Sequence, residues 1–144
     1  MKHTKPVIFL DVDGVLNRAG TESMVRINPE MLRAFCEFAK RMNAEIVVSS
    51  YWRTRQILKT RIIAGLGRHG VRVSGWTPIS RILDARHAEI KSYILQHDVK
   101  SYVIFDDITE TGDMRKRWVV TKNGITRANL DKAKKIIEEQ KTEK

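Results

Sequence analysis

Asp11 and Asp13 stand one residue apart and are followed directly by Gly14. Two anions held this close repel unless a cation or a shared proton lies between them. Oxygen-only ligands suit Mg²⁺, which binds one or two carboxylates together with substrate phosphate. Two more places carry groups of this kind. Ser49-Ser50 follows the apolar run 44–48, and Asp106-Asp107 follows the run 102–105. Hydroxyls and helix-start N–H groups at such a place can hold a phosphate oxygen. Arg86 falls in the first turn of an expected helix, where a cation opposes the dipole. A phosphate facing Arg86 would explain it, and so would plain solvent. Simpler accounts exist for the first two sites as well: an Asp-Gly turn that only ends a strand, and serines that only cap a helix.

The elements around these residues follow from patterning. Val7-Ile8-Phe9-Leu10 is continuously apolar, as a strand buried on both faces must be. Residues 15–27 are polar and irregular. Asn28 then predicts an N-cap, Pro29 the first helical position and Glu30 an acid in the positive first turn. Met31, Leu32, Phe35, Phe38, Ala39 and Met42 form the apolar stripe of that helix, and Asn43 breaks it. Residues 44–48 predict a second buried strand. A helix follows through Ile57, Leu58, Ile62, Ile63 and Leu66, its end marked by Gly65, Gly67 and Gly70. Val71-Arg72-Val73 predicts a short third strand, and Gly75-Trp76-Thr77-Pro78 reads as loop. Residues 76–83 match no pattern. Asp84 predicts the N-cap of a helix reaching about His97. Strands at 102–105 and 118–121, a turn at Asn123-Gly124, and a helix capped by Thr126 complete the chain, whose last few residues are expected to fray. Strands alternating with helices predict one α/β domain over 1–144, Rossmann-like, with a mostly parallel central sheet. Ligands in such sheets bind beyond the carboxyl ends of the strands. Asp11, Ser49 and Asp106 are expected there.

Composition narrows the function classes. The chain has 144 residues, enough for one substantial core. No apolar run approaches membrane-spanning length, and the first six residues show no secretory leader. With a single cysteine, Cys36, no internal disulfide can form. Cys36 falls among apolar helix positions, which predicts a core residue rather than a nucleophile. A cytoplasmic location is the expectation. The net charge of +10 points to a polyanionic partner, a nucleic acid or a nucleotide.

Asp11-Val12-Asp13-Gly14-Val15-Leu16, Ser49-Ser50, a basic residue at a helix start and Asp106-Asp107 together resemble the four motifs of the haloacid dehalogenase-like (HAD) phosphatases, in the right order. More narrowly, Val47-Val48-Ser49-Ser50-Tyr51-Trp52-Arg53, Arg86-His87-Ala88-Glu89-Ile90 and Asn123-Gly124-Ile125-Thr126 look like the small HAD domains of Swiss army knife RNA-repair and phage proteins. The resemblance implies that Asp11 is a nucleophile forming an aspartyl-phosphate. It implies that Asp13 protonates the leaving oxygen and then activates water. Mg²⁺ would be held by Asp11, Asp106, Asp107 and the backbone carbonyl of Asp13. Ser49, or failing it Ser50, would bind phosphate, with the N–H groups of Val12 to Gly14 cradling its oxygens. Many relatives use lysine as the fixed cation. Here Arg86 is the candidate and Lys91 the runner-up, and an arginine can bind two phosphate oxygens at once.

The resemblance implies a phosphatase rather than a dehalogenase, whose members usually lack the aspartate at the position of Asp13, or a phosphoglucomutase-type mutase, whose members keep it but carry a substantial cap. With no large cap domain, the site should be open enough for a macromolecular end, and a terminal 3′-phosphate of a nucleic acid is the expected substrate. Arg53 and Arg55, with Lys59, Arg61, Arg68 and Arg72, are candidates for contact with a nucleic-acid backbone. Trp52 and Trp76 could stack on a base or belong to the core. His69, His87 and His97 form no convincing ligand set. Two alternatives stand beside the leading reading: a nucleoside monophosphatase of the same fold, and a nucleic-acid-binding module without turnover.

Overall fold

The fold, a computed structural model, describes residues 3–18, 26–79 and 85–142. Five strands form one parallel sheet in the order β3-β2-β1-β4-β5, with β1 at Val7–Leu10, β2 at Glu45–Val48, β3 at Val73–Trp76, β4 at Tyr102–Asp106 and β5 at Trp118–Val120. The chain moves outward from β1 through β2 to β3, then returns to place β4 on the other side of β1. The crevice between β1 and β4 is therefore the point where strand order reverses, the usual ligand site of an open α/β sheet. None of the described helices is long and apolar enough to cross a membrane.

Strand alternation divides the core in two. Ile8, Leu10, Ile46, Val48, Val103, Phe105 and Val119 face one side, against helices α1 (Pro29–Arg41), α2 (Gln56–Gly67) and α4 (Arg127–Thr142). Val7, Phe9, Val47, Ile104 and Trp118 face the other, against Ile90 and Tyr93 of α3 (Arg86–His97). Helix α1 starts as its sequence dictates. The Asn28 side chain accepts from the Glu30 and Met31 N–H groups at 3.0 and 3.1 Å, and Pro29 takes the first position, where no N–H is needed. Cys36 is fully buried in this helix. Asn43, at φ 51°, turns the chain out of it.

Several expectations are corrected. The third strand is Val73–Trp76 rather than 71–73, so Gly75 and Trp76 are strand rather than loop. This is an edge strand, only partly covered and with a register shift against β2, so it carries no apolar run to announce it. Gly75 is required there because the Tyr93 hydroxyl packs where a Cβ would stand. Gly65 does not end α2; it lies inside the helix and lets Leu32 approach. Before α2 the chain makes a 3₁₀ turn over Tyr51–Thr54, and Arg55 is extended. Asp84 lies outside the described residues, and α3 begins with Ala85 in the N-cap position, without a side-chain cap. At the other end of the chain α4 continues to Thr142. There the Gln140 amide grips the backbone of Tyr102, accepting from its N–H at 2.9 Å and donating to its carbonyl at 2.7 Å.

Candidate active site

The register of the sheet sets the site. Leu10 pairs with Val48 on one side and with Phe105 on the other. The next residues, Asp11, Ser49 and Asp106, therefore stand at one level on three adjacent strands, roughly 4.8 Å apart laterally. By alternation all three share the face of Phe9, Val47 and Ile104, which is the face that α3 covers. The first residue of α3 is Arg86. Its Nη1 lies 2.6 Å from Asp106 Oδ2 and 3.3 Å from Asp11 Oδ1. These two carboxylates explain how a cation can occupy a helix N-terminus against the dipole.

Asp11, Asp106 and Asp107 each offer an oxygen, and these oxygens lie within 4.8 Å of one another. Asp11 and Asp106 are buried, whereas Asp107 is exposed. Burial, then the neighbouring Asp106 charge, pushes the Asp11 carboxyl well above the ordinary aspartate range, with Arg86 opposing. Burial likewise raises Asp106, again against Arg86. Burial lowers the Arg86 guanidinium, but Asp106 and Asp11 outweigh it and the net shift is upward. A cluster of three carboxylates whose buried members resist ionisation is under-neutralised by one arginine. Its hard oxygen donors fit a divalent cation such as Mg²⁺.

Gly14 meets two demands at once. Its φ is +82°, and a Cβ there would run into the Asp107 carboxylate. Its carbonyl accepts from Thr121 Oγ1 at 2.6 Å and from the Gly124 N–H at 2.9 Å, which ties the loop to the segment after β5. Its N–H donates to Asn17 Oδ1 at 2.9 Å. The expectation that the Gly14 N–H cradles phosphate therefore fails, because that donor is already spent. The Val12 N–H faces the Asp11 carboxylate. Gly14→Ala should cost about 1–2 kcal/mol in stability for the left-handed backbone and weaken Mg²⁺ binding by displacing Asp107. Calorimetric titration with Mg²⁺ checks this, and unchanged affinity would remove Asp107 from the metal site.

The serines separate cleanly. Ser50 Oγ accepts from the Trp52 N–H at 3.1 Å as the cap of the 3₁₀ turn. Ser49 is fully buried, and its hydroxyl has no hydrogen-bond partner. Buried polar groups are rarely left unpaired, so an unpaired hydroxyl at the strand end beside Asp11 calls for an explanation, and a phosphate oxygen would supply one. The Asp13 carboxylate stands apart from the acidic cluster. Its Oδ1 accepts from Trp52 Nε1 at 3.1 Å and from Asn17 Nδ2 at 3.0 Å. Of the two readings of Trp52, base stacking or core, full burial leaves the core one, and its indole N–H is what reaches the site; Asn17 reads in sequence only as loop.

Arg53 and Lys91 are corrected. Arg53 is 6% exposed and makes no surface for nucleic acid. Its guanidinium donates to the carbonyls of Ser49, Ser50, Thr77 and Pro78, at 3.2, 2.8, 3.0 and 3.0 Å, and pairs with Glu89 at 2.8 Å. It locks the ends of β2 and β3 to α3. Lys91 is exposed and paired with Asp113 at 2.7 Å, away from the cluster. In the expected basic track, Lys59 lies over the Trp76 ring at 4.6 Å, and Arg55, Arg61, Arg68 and Arg72 are exposed. Arg53→Met should cost about 3–5 kcal/mol in unfolding free energy, because Glu89 and four carbonyls lose the Arg53 guanidinium. Denaturant unfolding tests it, and a loss below about 1 kcal/mol would contradict the locking role.

A family model described as the HAD domain in Swiss Army Knife RNA repair proteins matches residues 7–130, which include every site residue placed above. No curated protein matches the chain.

Proposed function

The chain belongs to the family of HAD domains in Swiss Army Knife RNA repair proteins, and from that membership we propose that it is a Mg²⁺-dependent phosphomonoesterase that removes a terminal 3′-phosphate from nucleic-acid ends. The observation that carries this reading is the convergence of Asp11, Asp106 and Asp107, with the Arg86 guanidinium against Asp11 and Asp106 at the switch point of the sheet. A phosphate monoester dianion repels a carboxylate nucleophile, so attack requires fixed positive charge at the phosphoryl group.

In the proposed reaction Asp11 attacks phosphorus and forms an aspartyl-phosphate as the P–O bond to the leaving oxygen breaks. Asp13 gives that oxygen its proton. In the second step water attacks phosphorus, Asp13 takes back a proton, and the acyl phosphate P–O bond breaks to return Asp11 and free phosphate. Arg86 neutralises the equatorial oxygens, and the unpartnered Ser49 hydroxyl donates to one of them. Asp11, Asp106 and Asp107 are the residues that would hold Mg²⁺, which when bound supplies Lewis-acid neutralisation of the phosphoryl charge.

Three features support a nucleic-acid substrate. The net charge is +10. The described residues contain no separate cap domain to enclose a small molecule. Arg115, Lys116, Lys132 and Lys135, with Glu139 among them, line one surface cleft beside the amino end of β5, where a phosphate backbone running on from the site would find cations. The test is phosphate release with Mg²⁺, and with EDTA as control, from a 3′-phosphorylated oligonucleotide, its 5′-phosphorylated twin and a set of mononucleotides. Metal-dependent release that favours the 3′-phosphorylated end is expected. Release from mononucleotides alone would overturn the substrate assignment in favour of a nucleotidase. Metal-independent, salt-sensitive oligonucleotide binding with no release from any substrate would indicate a binding module instead.

A further inference from the structure

Asp13 is held by two buried donors that both act on the same oxygen. Trp52 is fully buried, Asn17 is 1% exposed, and each donates to Asp13 Oδ1. The orientation of the Asn17 amide is fixed by its surroundings. Its Oδ1 accepts from the Gly14 N–H at 2.9 Å, and its Nδ2 also donates to the Arg26 carbonyl at 2.9 Å. A flipped amide would set N–H against N–H at Gly14, so Asn17 can only donate towards Asp13. Trp52 is fixed from both sides. Its ring lies in the core cluster, and its backbone N–H donates to Ser50 Oγ. A buried indole N–H needs an acceptor, and here that acceptor is Asp13.

A carboxyl oxygen that accepts two N–H donors has both lone pairs engaged and is the bare acceptor. A proton on the same group then resides on the other oxygen. We propose that Trp52 and Asn17 are positioning residues that fix the Asp13 carboxyl and commit its transferable proton to Oδ2. The inference rests on the reading of Asp13 as the proton donor to the leaving oxygen. It explains why a tryptophan, rather than a phenylalanine of similar apolar bulk, stands two residues after Ser50. It also accounts for Asn17 as part of the same loop: one amide holds both the Gly14 backbone and the Asp13 carboxyl, so the turn and the acid are set together.

The leaving group gives a readout that packing alone would not move. A nucleic-acid 3′-oxygen leaves as an alkoxide and needs protonation, whereas p-nitrophenolate leaves readily without it. Single-turnover release of the leaving group reads this first step alone. Trp52→Phe should slow release of the dephosphorylated oligonucleotide by about 10- to 100-fold, part of what a general acid contributes. Release of p-nitrophenol from p-nitrophenyl phosphate should change by less than about 3-fold. In an Asp13→Ala background, Trp52→Phe should cost nothing further on the oligonucleotide, since residues acting through one group are not additive. Equal losses on both substrates, or a full additional loss in the Asp13→Ala background, would overturn the proposal. If Trp52→Phe fails to fold, Asn17→Asp, which keeps the acceptor for the Gly14 N–H and removes the donor to Asp13, is measured in the same way, and the same two outcomes decide. Absence of turnover in the wild-type protein would instead refute the phosphatase reading itself.

Discussion

Asp11→Asn is expected to abolish turnover, by at least roughly 10⁴-fold in kcat, while leaving the metal-free protein at least as stable as the wild type. The two effects have one origin. Asp11 is buried beside Asp106 and under-neutralised, so its ionisation in the folded state is unfavourable. A group that acts as nucleophile must nevertheless be ionised there, and the fold bears that strain until positive charge arrives. Asparagine has the same shape without the charge. The sign with pH follows from linkage. The folded carboxyl has a raised pKa and so binds its proton more tightly than the unfolded one. Stability is therefore lost as pH rises from the ordinary aspartate range through the raised folded value. Asp11→Asn should flatten that slope, because it removes one of the two raised carboxyls. Denaturant unfolding across pH in EDTA measures it, and a variant that unfolds more readily than wild type at neutral pH would contradict the account of Asp11 as a strained charge.

Arg86→Ala should lower kcat by about 10²- to 10³-fold, the range for loss of one fixed charge-stabilising group, and should also destabilise the metal-free protein. Its guanidinium is the cation that touches both Asp11 and Asp106. Removing one partner from a buried ionic cluster costs about 3–5 kcal/mol, because the remaining charges are left without compensation. Two features distinguish this loss from ordinary packing damage. It should shrink at low pH, where Asp11 and Asp106 protonate, and it should be partly restored by Mg²⁺, which takes over neutralisation. Arg86→Lys should keep most of the stability and lose about 10-fold in kcat, since an ammonium cannot span two oxygens as a guanidinium does. Unfolding with and without Mg²⁺ at two pH values tests this. A loss of stability indifferent to both metal and pH would mean that Arg86 serves only as a structural tie.

What the sequence makes legible follows from which physical signals are local. The central strands β1, β2 and β4 are covered on both faces, so their apolar runs stand out, and the polar residues that end them mark the crevice. The α1 cap at Asn28 is likewise a matter of neighbours within three residues. Edge strand β3 is different, because partial burial leaves no run and Gly75 serves a packing contact with a helix far along the chain. Arg53 has the same character. In sequence it begins a basic stretch, yet in space it closes five contacts among β2, β3 and α3. Trp52 and Asn17 reach Asp13 across separations of 39 and 4 residues. The indole bond depends on β1 and β2 pairing in register, and the amide bond on the turn around Gly14, so residue type alone signals neither. The two serines are adjacent and alike in sequence, and only alternation along β2 separates them: Ser49 shares the Val47 face with Asp11, whereas Ser50 caps the 3₁₀ turn.

The proposed chemistry stands or falls on whether phosphorus becomes bonded to Asp11. The most direct measurement is acid quenching of the protein during turnover of an oligonucleotide bearing a radiolabelled 3′-phosphate, in Mg²⁺, with wild type and Asp11→Asn side by side. The account predicts transient label on the wild-type protein, located in the peptide that contains Asp11 and released by hydroxylamine as an acyl phosphate must be, and none on Asp11→Asn. Steady phosphate release with no label on the wild-type protein, together with preserved turnover in Asp11→Asn, would contradict it.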